Sequence, residues 1–209
     1  MSRALYSAQL DLQGQAVVML GAGKVALQKL KGLPHGLGSV RIFAREASPV
    51  VKRWVAGRSE AKLLLRPLKA GDLKGCRLLF CCASEAQANA QAALWGRRAG
   101  TWICQTEEPS QGNLQVPAVI RAGGLSLTLS TGGASPALAK ALRQHWEQSL
   151  KVSDLAWVLA QLKRRRAALK ADPRKKNELL AQLKTKQALA LMLKARTAQT
   201  RRQLAALLK

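Results

Sequence analysis

The sequence predicts an α/β protein with three parts: a doubly wound parallel sheet, a small strand–loop–helix segment and an all-helical C-terminal region. Apolar stretches of strand length alternate with helical stretches through the first half of the chain, which is typical of a parallel sheet. From residue 151 onward the apolar residues recur only at helical spacing. We therefore expect a Rossmann-like domain over 1–113, a strand–loop–helix segment over 114–150, and a basic helical region over 151–209.

Five strands and three helices are expected in the first region. The strands are 17–20, 40–43, 61–65, 78–82 and 102–104. The fourth is wholly apolar, as expected of a central strand that is buried on both faces. The helices are 24–33, 47–56 and 85–99. Pro34 ends the first helix, Pro49 stands in the first turn of the second, where proline is tolerated, and Ser84 is expected to cap the third.

The turn between the first strand and the first helix has the spacing G-x-G-x-x-[GA]. Gly21 permits the tight turn, Gly23 lets the backbone approach a pyrophosphate, and Ala26 keeps the helix close to the strand. The helix N-terminus offers free N–H groups to phosphates. We therefore predict a dinucleotide site, formed by Gly21, Ala22, Gly23, Lys24, Val25 and Ala26. The alternative is a glycine-rich turn that binds no ligand.

The end of the second strand is where a dinucleotide fold normally recognises the ribose, and it carries Arg45 and Glu46. Glu46 could accept hydrogen bonds from the ribose hydroxyls, which would favour NAD. Arg45 could instead favour a 2′-phosphate. The third possibility is that both are ordinary surface residues.

The chain changes character after Pro109. Short strands are expected over 119–120 and 125–130, and the second alternates leucine with serine or threonine, as in a half-buried antiparallel strand. A loop and a helix follow, with Ser135 as the cap and Pro136 at the first helical position. The loop combines two glycines with hydroxyls, which predicts an anion-binding surface made of Ser130, Thr131, Gly132, Gly133 and Ser135. The alternative is simple helix capping by Ser135.

The formal net charge of the chain is +24. Residues 1–150 contribute +11 and residues 151–209 contribute +13, so the excess is denser at the C-terminus. Such a charge attracts polyanions, whether nucleic acid, an anionic membrane or a small polycarboxylate. A generally lysine- and arginine-rich surface is the simpler explanation.

A cytoplasmic protein with no membrane span is expected. No apolar run approaches the roughly 18 residues that a span needs, and residues 1–6 lack the features of a secretory signal. The cysteines Cys76, Cys81, Cys82 and Cys104 have no C-x-x-C spacing, and three of them lie in or beside apolar strands. We expect buried, reduced thiols and no metal site.

Several segments resemble, in order, the precorrin-2 dehydrogenase and sirohydrochlorin ferrochelatase domain of siroheme synthases. Residues 10–33 are similar to its opening, and residues 83–89 to the segment that follows its fourth strand. Val116-Pro117-Ala118 resembles its Pro-Ala/Ser-Ile-Ile run. The segment 127–139, with Ser-Thr-Gly-Gly-Ala-Ser-Pro at its centre, is close to its most distinctive motif. The resemblance covers residues 5–150 in register, and the basic tail fits the family's C-terminal region in kind and length.

This resemblance implies NAD-dependent oxidation of precorrin-2 to sirohydrochlorin in siroheme biosynthesis, followed in some members by insertion of Fe²⁺. It adds Ala83 and Ser84 to the expected cofactor site and favours NAD. The carboxylates of precorrin-2 become the expected ligands of the loop at 130–135. The resemblance also implies a homodimer. In it, 114–150 would be the dimerisation and substrate-binding segment, and residues 126–134 and the C-terminal helices would contribute to the neighbour's active site.

The chain departs from the family at its proposed general base, an aspartate in an Asn-Val-Val-Asp-x-Pro segment. Counting back from Pro109, Glu107 stands at the aspartate position and Cys104 at the asparagine position. Glu107 is therefore our expected catalytic residue, with an arm that is one methylene longer. The alternative is a solvated turn residue. Leu114 and Gln115 stand where the family is usually aromatic and apolar, so the substrate pocket is expected to differ.

Two other functions stay open on the sequence. The basic runs 163–166 and 174–176 suggest a nucleic-acid-binding protein, although aromatic residues are few and no helix-turn-helix or zinc pattern occurs. The second function left open is that of a non-catalytic relative that binds NAD or a tetrapyrrole. The glutamate at position 107, in place of the family's aspartate, supports it.

Overall fold

A computed structural model describes residues 4–122, 124–150, 152–169, 172–183, 185–193 and 197–207. Within this part the chain forms two compact units, one of Ala4–Val116 and one that starts at Pro117. The first unit contains the parallel sheet and the second contains a β-hairpin and five helices. The predicted fold class is therefore confirmed.

The sheet of the first unit has five parallel strands. They are β1 (Ala16–Leu20), β2 (Ser39–Phe43), β3 (Ala61–Leu64), β4 (Cys76–Cys81) and β5 (Trp102–Gln105). Their order in space is β3-β2-β1-β4-β5. The chain moves outward from β1 to β3 and then returns to the other side of β1 with β4. This reversal opens a crevice at the carboxyl ends of β1 and β4, where such sheets bind their ligands.

Three helices connect these strands: α1 (Lys24–Lys31), α2 (Pro49–Ala56) and α3 (Ala86–Arg98). The Ser48 hydroxyl caps α2 by accepting from the Val51 N–H at 3.4 Å, and Pro49 occupies the first helical position, as predicted. The predicted cap of α3 by Ser84 is wrong. Glu85 occupies the cap position and makes no side-chain hydrogen bond to the helix, because its carboxylate pairs with Arg45 instead.

Alternate residues of β1 supply the core on the two faces of the sheet. Val17 and Met19 lie in one apolar cluster, and Val18 and Leu20 lie in another. Ala26 has no exposed surface and packs in the same cluster as Val17 and Met19. The small side chain of Ala26 therefore faces the sheet from α1 and allows the helix to lie close to β1, which is the structural part of the prediction for this residue.

The second unit begins with the antiparallel hairpin of β6 (Ala118–Ala122) and β7 (Leu125–Leu129). Its helices are α4 (Pro136–Leu150), α5 (Val152–Ala168), α6 (Pro173–Leu183), α7 (Lys186–Leu193) and α8 (Ala198–Leu207). A small core of Val158, Leu169, Leu179 and Leu204 joins the C-terminal helices. No helix in the described ranges is long and apolar enough to cross a membrane.

Candidate functional site

A cavity of about 810 Å³ opens at the carboxyl ends of the parallel strands. Its lining comes from the segments that follow all five strands of the sheet, together with residues of α1 and α3. This volume lies in the range of sites for cofactors and other small ligands. The predicted cofactor residues that line it are Gly21, Ala22, Gly23, Lys24, Val25, Glu46, Ala83 and Ser84. Ala26, the ninth, lies in the core instead.

The two glycines of the turn after β1 serve different purposes. Gly21 has φ +101°, and a Cβ atom there would collide with the carbonyl oxygen of Cys82. Its N–H donates to the Phe43 carbonyl at 2.8 Å, so the turn is fixed between the ends of β2 and β4. Gly23 has φ −91°, and a Cβ atom there would meet nothing within 4 Å. Packing therefore requires Gly21, whereas Gly23 leaves open space in front of α1.

The N-terminus of α1 is suited to an anion. Gly23 is its cap residue and provides no side-chain hydrogen bond, and the first turn contains no acidic residue. The first N–H groups of a helix have no partner within the helix, and the helix dipole favours negative charge there. The pyrophosphate of a dinucleotide fits this arrangement.

Asn89 holds the loop that follows β4. Its side chain is fully buried, its Oδ1 accepts from the Ala83 N–H at 3.0 Å, and its Nδ2 donates to the Ala83 carbonyl at 2.8 Å. Both backbone groups of a cavity-lining residue are thus satisfied by one side chain from α3. The conformation of this loop depends on the amide.

We expect Asn89→Ala to lower the free energy of unfolding by about 1–3 kcal/mol, because it removes two hydrogen bonds to the half-buried backbone of Ala83. Urea denaturation followed by circular dichroism measures the change. Gln87→Ala on the exposed face of the same helix is the matched control and should change stability by less than about 0.5 kcal/mol. Equal stability of the two variants would contradict a structural role for the amide.

The end of β5 fixes the backbone around Glu107. The Thr106 hydroxyl donates to the Cys81 carbonyl at 3.0 Å, and the buried Gln105 accepts from the Glu107 N–H at 3.2 Å. Glu107 is exposed and lines the cavity. Hydrogen bonds thus fix the backbone that carries the Glu107 carboxylate, at the edge of the sheet where ligands bind. Gln105 and Thr106 were not predicted from the sequence, although two polar residues at the end of an apolar strand are a signal that could have identified them.

The Cys82 thiol, which also lines the cavity, is a poor nucleophile. Burial is the main cause that raises the pKa of Cys82 to about 11, and nearby Cys104 and Glu107 contribute to this shift, so the thiol stays protonated at neutral pH. Burial likewise raises the pKa of Cys81 to about 12. All four cysteines are free; Cys82 is half-buried and the other three are buried. Among the residues that the structure describes, no group of three or more His, Cys, Asp or Glu is arranged to hold a metal ion.

The residues after β2 take different positions. Glu46 is exposed and lines the cavity, while Arg45 forms an ion pair with Glu85, with Nη1 and Oε1 2.7 Å apart. Arg45 and Glu85 also line the cavity. This ion pair was not predicted from the sequence, because its partners are 40 residues apart in the chain.

The predicted anion-binding loop lies in the second unit, between β7 and α4. The Ser130 hydroxyl accepts from the Gly132 N–H at 3.2 Å, and the Thr131 hydroxyl accepts from the Ser135 N–H at 3.1 Å. The Ser135 hydroxyl accepts from the Leu138 N–H at 3.2 Å and so caps α4. A hydroxyl that accepts a hydrogen bond keeps its own O–H to donate. The three side chains therefore fold the loop and can still donate to an anion.

Comparison with known proteins identifies the first unit. Residues 8–118 match the family model described as putative NAD(P)-binding. The chain is 30% identical over 146 residues to a siroheme synthase of Gluconobacter oxydans, and this match covers 66% of this chain and 30% of that protein. It is 28% identical over 141 residues to a precorrin-2 dehydrogenase of Priestia megaterium, which covers 67% of this chain and 68% of that protein.

A solved structure has the same fold. It is titled SirC, precorrin-2 dehydrogenase, and superposes with a TM-score of 0.76 at 22% identity over 98% of both chains. The chain spans about three tenths of the siroheme synthase that it matches. The glycine turn and the strand order agree with these matches, and the chain belongs to the putative NAD(P)-binding family, whose model covers more than half of it.

Proposed function

We propose that this protein is an NAD-dependent precorrin-2 dehydrogenase, which oxidises precorrin-2 to sirohydrochlorin. The observation that carries the proposal is a dinucleotide-type cavity with a carboxylate at its β5 edge, in a chain that matches a protein named precorrin-2 dehydrogenase over 141 residues. Oxidation of the macrocycle removes a hydride and a proton. NAD, when bound, accepts the hydride, and the protein has to accept the proton.

Each group of the cavity has a distinct task in this proposal. The N-terminus of α1, with Gly21 to Val25, binds the pyrophosphate. Glu46 accepts hydrogen bonds from the ribose hydroxyls. Glu107 accepts the proton at its carboxylate as the hydride leaves, because it is the exposed carboxylate on the β5 side of the cavity. The held backbone of Gln105 and Thr106 restricts where that carboxylate can lie.

The loop at 130–135 is proposed to bind substrate carboxylates through its hydroxyl and glycine N–H groups. The high net positive charge of the chain would attract the same polycarboxylate at long range. Four further proposals have less support. The resemblance supports homodimer formation, Fe²⁺ insertion and a cytoplasmic location. The charge supports non-specific nucleic-acid binding by the basic helices. Loss of polynucleotide binding with rising salt would show that the last is electrostatic.

The activity is tested by anaerobic incubation of the full chain with precorrin-2 and NAD, following the absorbance spectrum of sirohydrochlorin. Its appearance only when NAD is present is the expected result. Addition of Fe²⁺ or Co²⁺ to the product mixture then tests metal insertion. If NAD binds but the spectrum does not change, the chain is a non-catalytic relative.

We expect Thr131→Ala and Ser135→Ala to raise the apparent KM for precorrin-2 more than the KM for NAD, because each removes a hydroxyl donor from the proposed carboxylate site. Steady-state kinetics with each substrate varied in turn gives both constants. Ser135→Ala also removes the cap of α4 and should cost about 1 kcal/mol of stability. A lowered melting temperature with unchanged kinetics would mean that the loop only caps the helix.

A further inference from the structure

The Arg45–Glu85 ion pair spans the carboxyl edge of the sheet. Arg45 follows β2, Glu85 precedes α3, and β1 lies between β2 and β4 in the sheet. The contact of 2.7 Å between Nη1 and Oε1 therefore connects the two loops on either side of the glycine turn. The side chains are 76% and 53% exposed, so the pair is held by its charges rather than by burial.

Arg45 is the cation adjacent to the expected ribose-binding carboxylate, Glu46. In dinucleotide folds a carboxylate at this point accepts from the 2′-hydroxyl, while an arginine nearby accommodates a 2′-phosphate. This chain has both residues side by side, and both line the cavity. They differ in that the Arg45 guanidinium already binds a carboxylate, that of Glu85.

The charges along the cavity explain why the ion pair can affect the binding of a phosphorylated cofactor. Its lining includes the cations Lys24 and Arg45 and the carboxylates Glu46, Glu85 and Glu107. A cofactor with a 2′-phosphate would bring added negative charge toward Glu46. A 2′-phosphate that binds Arg45 would have to share the guanidinium with the Glu85 carboxylate, which already accepts from Nη1. NAD has no 2′-phosphate and therefore does not compete with Glu85 for the guanidinium.

We propose that Glu85 is a specificity-determining residue, which holds Arg45 away from a ribose 2′-phosphate and so favours NAD over NADP. Glu85 acts through Arg45 and is a positioning residue. This inference rests on the proposed cofactor site and addresses the choice between NAD and a 2′-phosphate that the sequence left open between Glu46 and Arg45.

Calorimetric titration of the full chain with NAD and with NADP tests the inference without any turnover. Glu85→Gln keeps the size of the side chain and frees Arg45, so NADP affinity should rise about 3- to 10-fold, the scale of an exposed ion pair, with NAD affinity within about 2-fold. The gain should disappear in Arg45→Gln/Glu85→Gln. Glu108→Gln, which removes an exposed carboxylate outside the cavity lining, should change neither affinity.

Two results would overturn the inference while the cofactor site stands. One is an unchanged ratio of NAD to NADP affinity in Glu85→Gln. The other is a gain in NADP affinity that persists in the double variant, since Glu85 would then act through its own charge and not through Arg45. If the unmodified protein binds neither dinucleotide, the cofactor site itself is wrong, and the inference fails with it.

Discussion

Gly23→Asp should abolish NAD binding and leave the fold intact. The space in front of Gly23 is open, its φ of −91° suits any residue, and an aspartate at a helix cap accepts hydrogen bonds from the first turn. We expect the free energy of unfolding to stay level or rise by about 0.5 kcal/mol. The same carboxylate would occupy the position proposed for the pyrophosphate. Repulsion between like charges at that distance should weaken NAD binding at least about 100-fold.

Two further variants identify the cause. Gly23→Ser supplies a cap without a charge and should weaken NAD binding less than the aspartate does. Gly21→Ala should instead lose stability, because its φ is positive and the Cys82 carbonyl occupies the place of a side chain. Melting temperature and calorimetric NAD titration give both quantities for each variant. Unchanged NAD affinity in a folded Gly23→Asp protein would mean that the cofactor lies elsewhere.

The contrast between these glycines shows how far the sequence predicts the site. The glycine spacing predicted the turn correctly, because a tight strand–helix turn depends on local sequence and here involves six consecutive residues, 21–26. The alternation of strands and helices likewise predicted the parallel sheet. The spacing does not reveal that Gly21 is required by packing against Cys82, since that contact joins segments 61 residues apart in the chain. Long-range contacts of this kind depend on the assembled sheet.

The same reason accounts for the error at α3 and for the residues that were missed. Serine is a good cap by local preference, so Ser84 was expected there. The helix begins instead after Glu85, whose carboxylate binds Arg45 from the loop after β2. Gln105 was not predicted because a polar residue in a sequence gives no sign of being buried. In the folded sheet Gln105 is buried at the end of β5, and its amide oxygen accepts from the Glu107 N–H.

Glu107→Gln should lower kcat for sirohydrochlorin formation by a factor of about 10²–10⁴, the usual cost of losing a general base. Glutamine keeps the size of the side chain and removes its capacity to accept a proton. NAD affinity should change little, because the carboxylate is assigned to the proton and not to the dinucleotide. Single-turnover absorbance measurements with saturating NAD separate this effect on chemistry from any effect on binding.

Glu108 is the matched control, because it is the adjacent residue, is also exposed and has the same side chain. It lies outside the cavity lining, and its carboxylate accepts a hydrogen bond from the Ser110 hydroxyl. Glu108→Gln should therefore retain near-normal turnover. Loss of turnover in Glu108→Gln but not in Glu107→Gln would mean that the position was assigned one residue too early.

Glu107→Asp then tests how strictly the base must be placed. It shortens the arm by one methylene and restores the residue expected from the resemblance, on a backbone that Gln105 and Thr106 hold in place. We expect this variant to keep or raise the wild-type kcat, since the carboxylate remains and only its reach changes. If Glu107→Gln and Glu108→Gln both stay active, neither carboxylate is the base. Catalysis would then depend on how the protein orients precorrin-2 against the cofactor, and variants of the loop at 130–135 would affect kcat as well as KM.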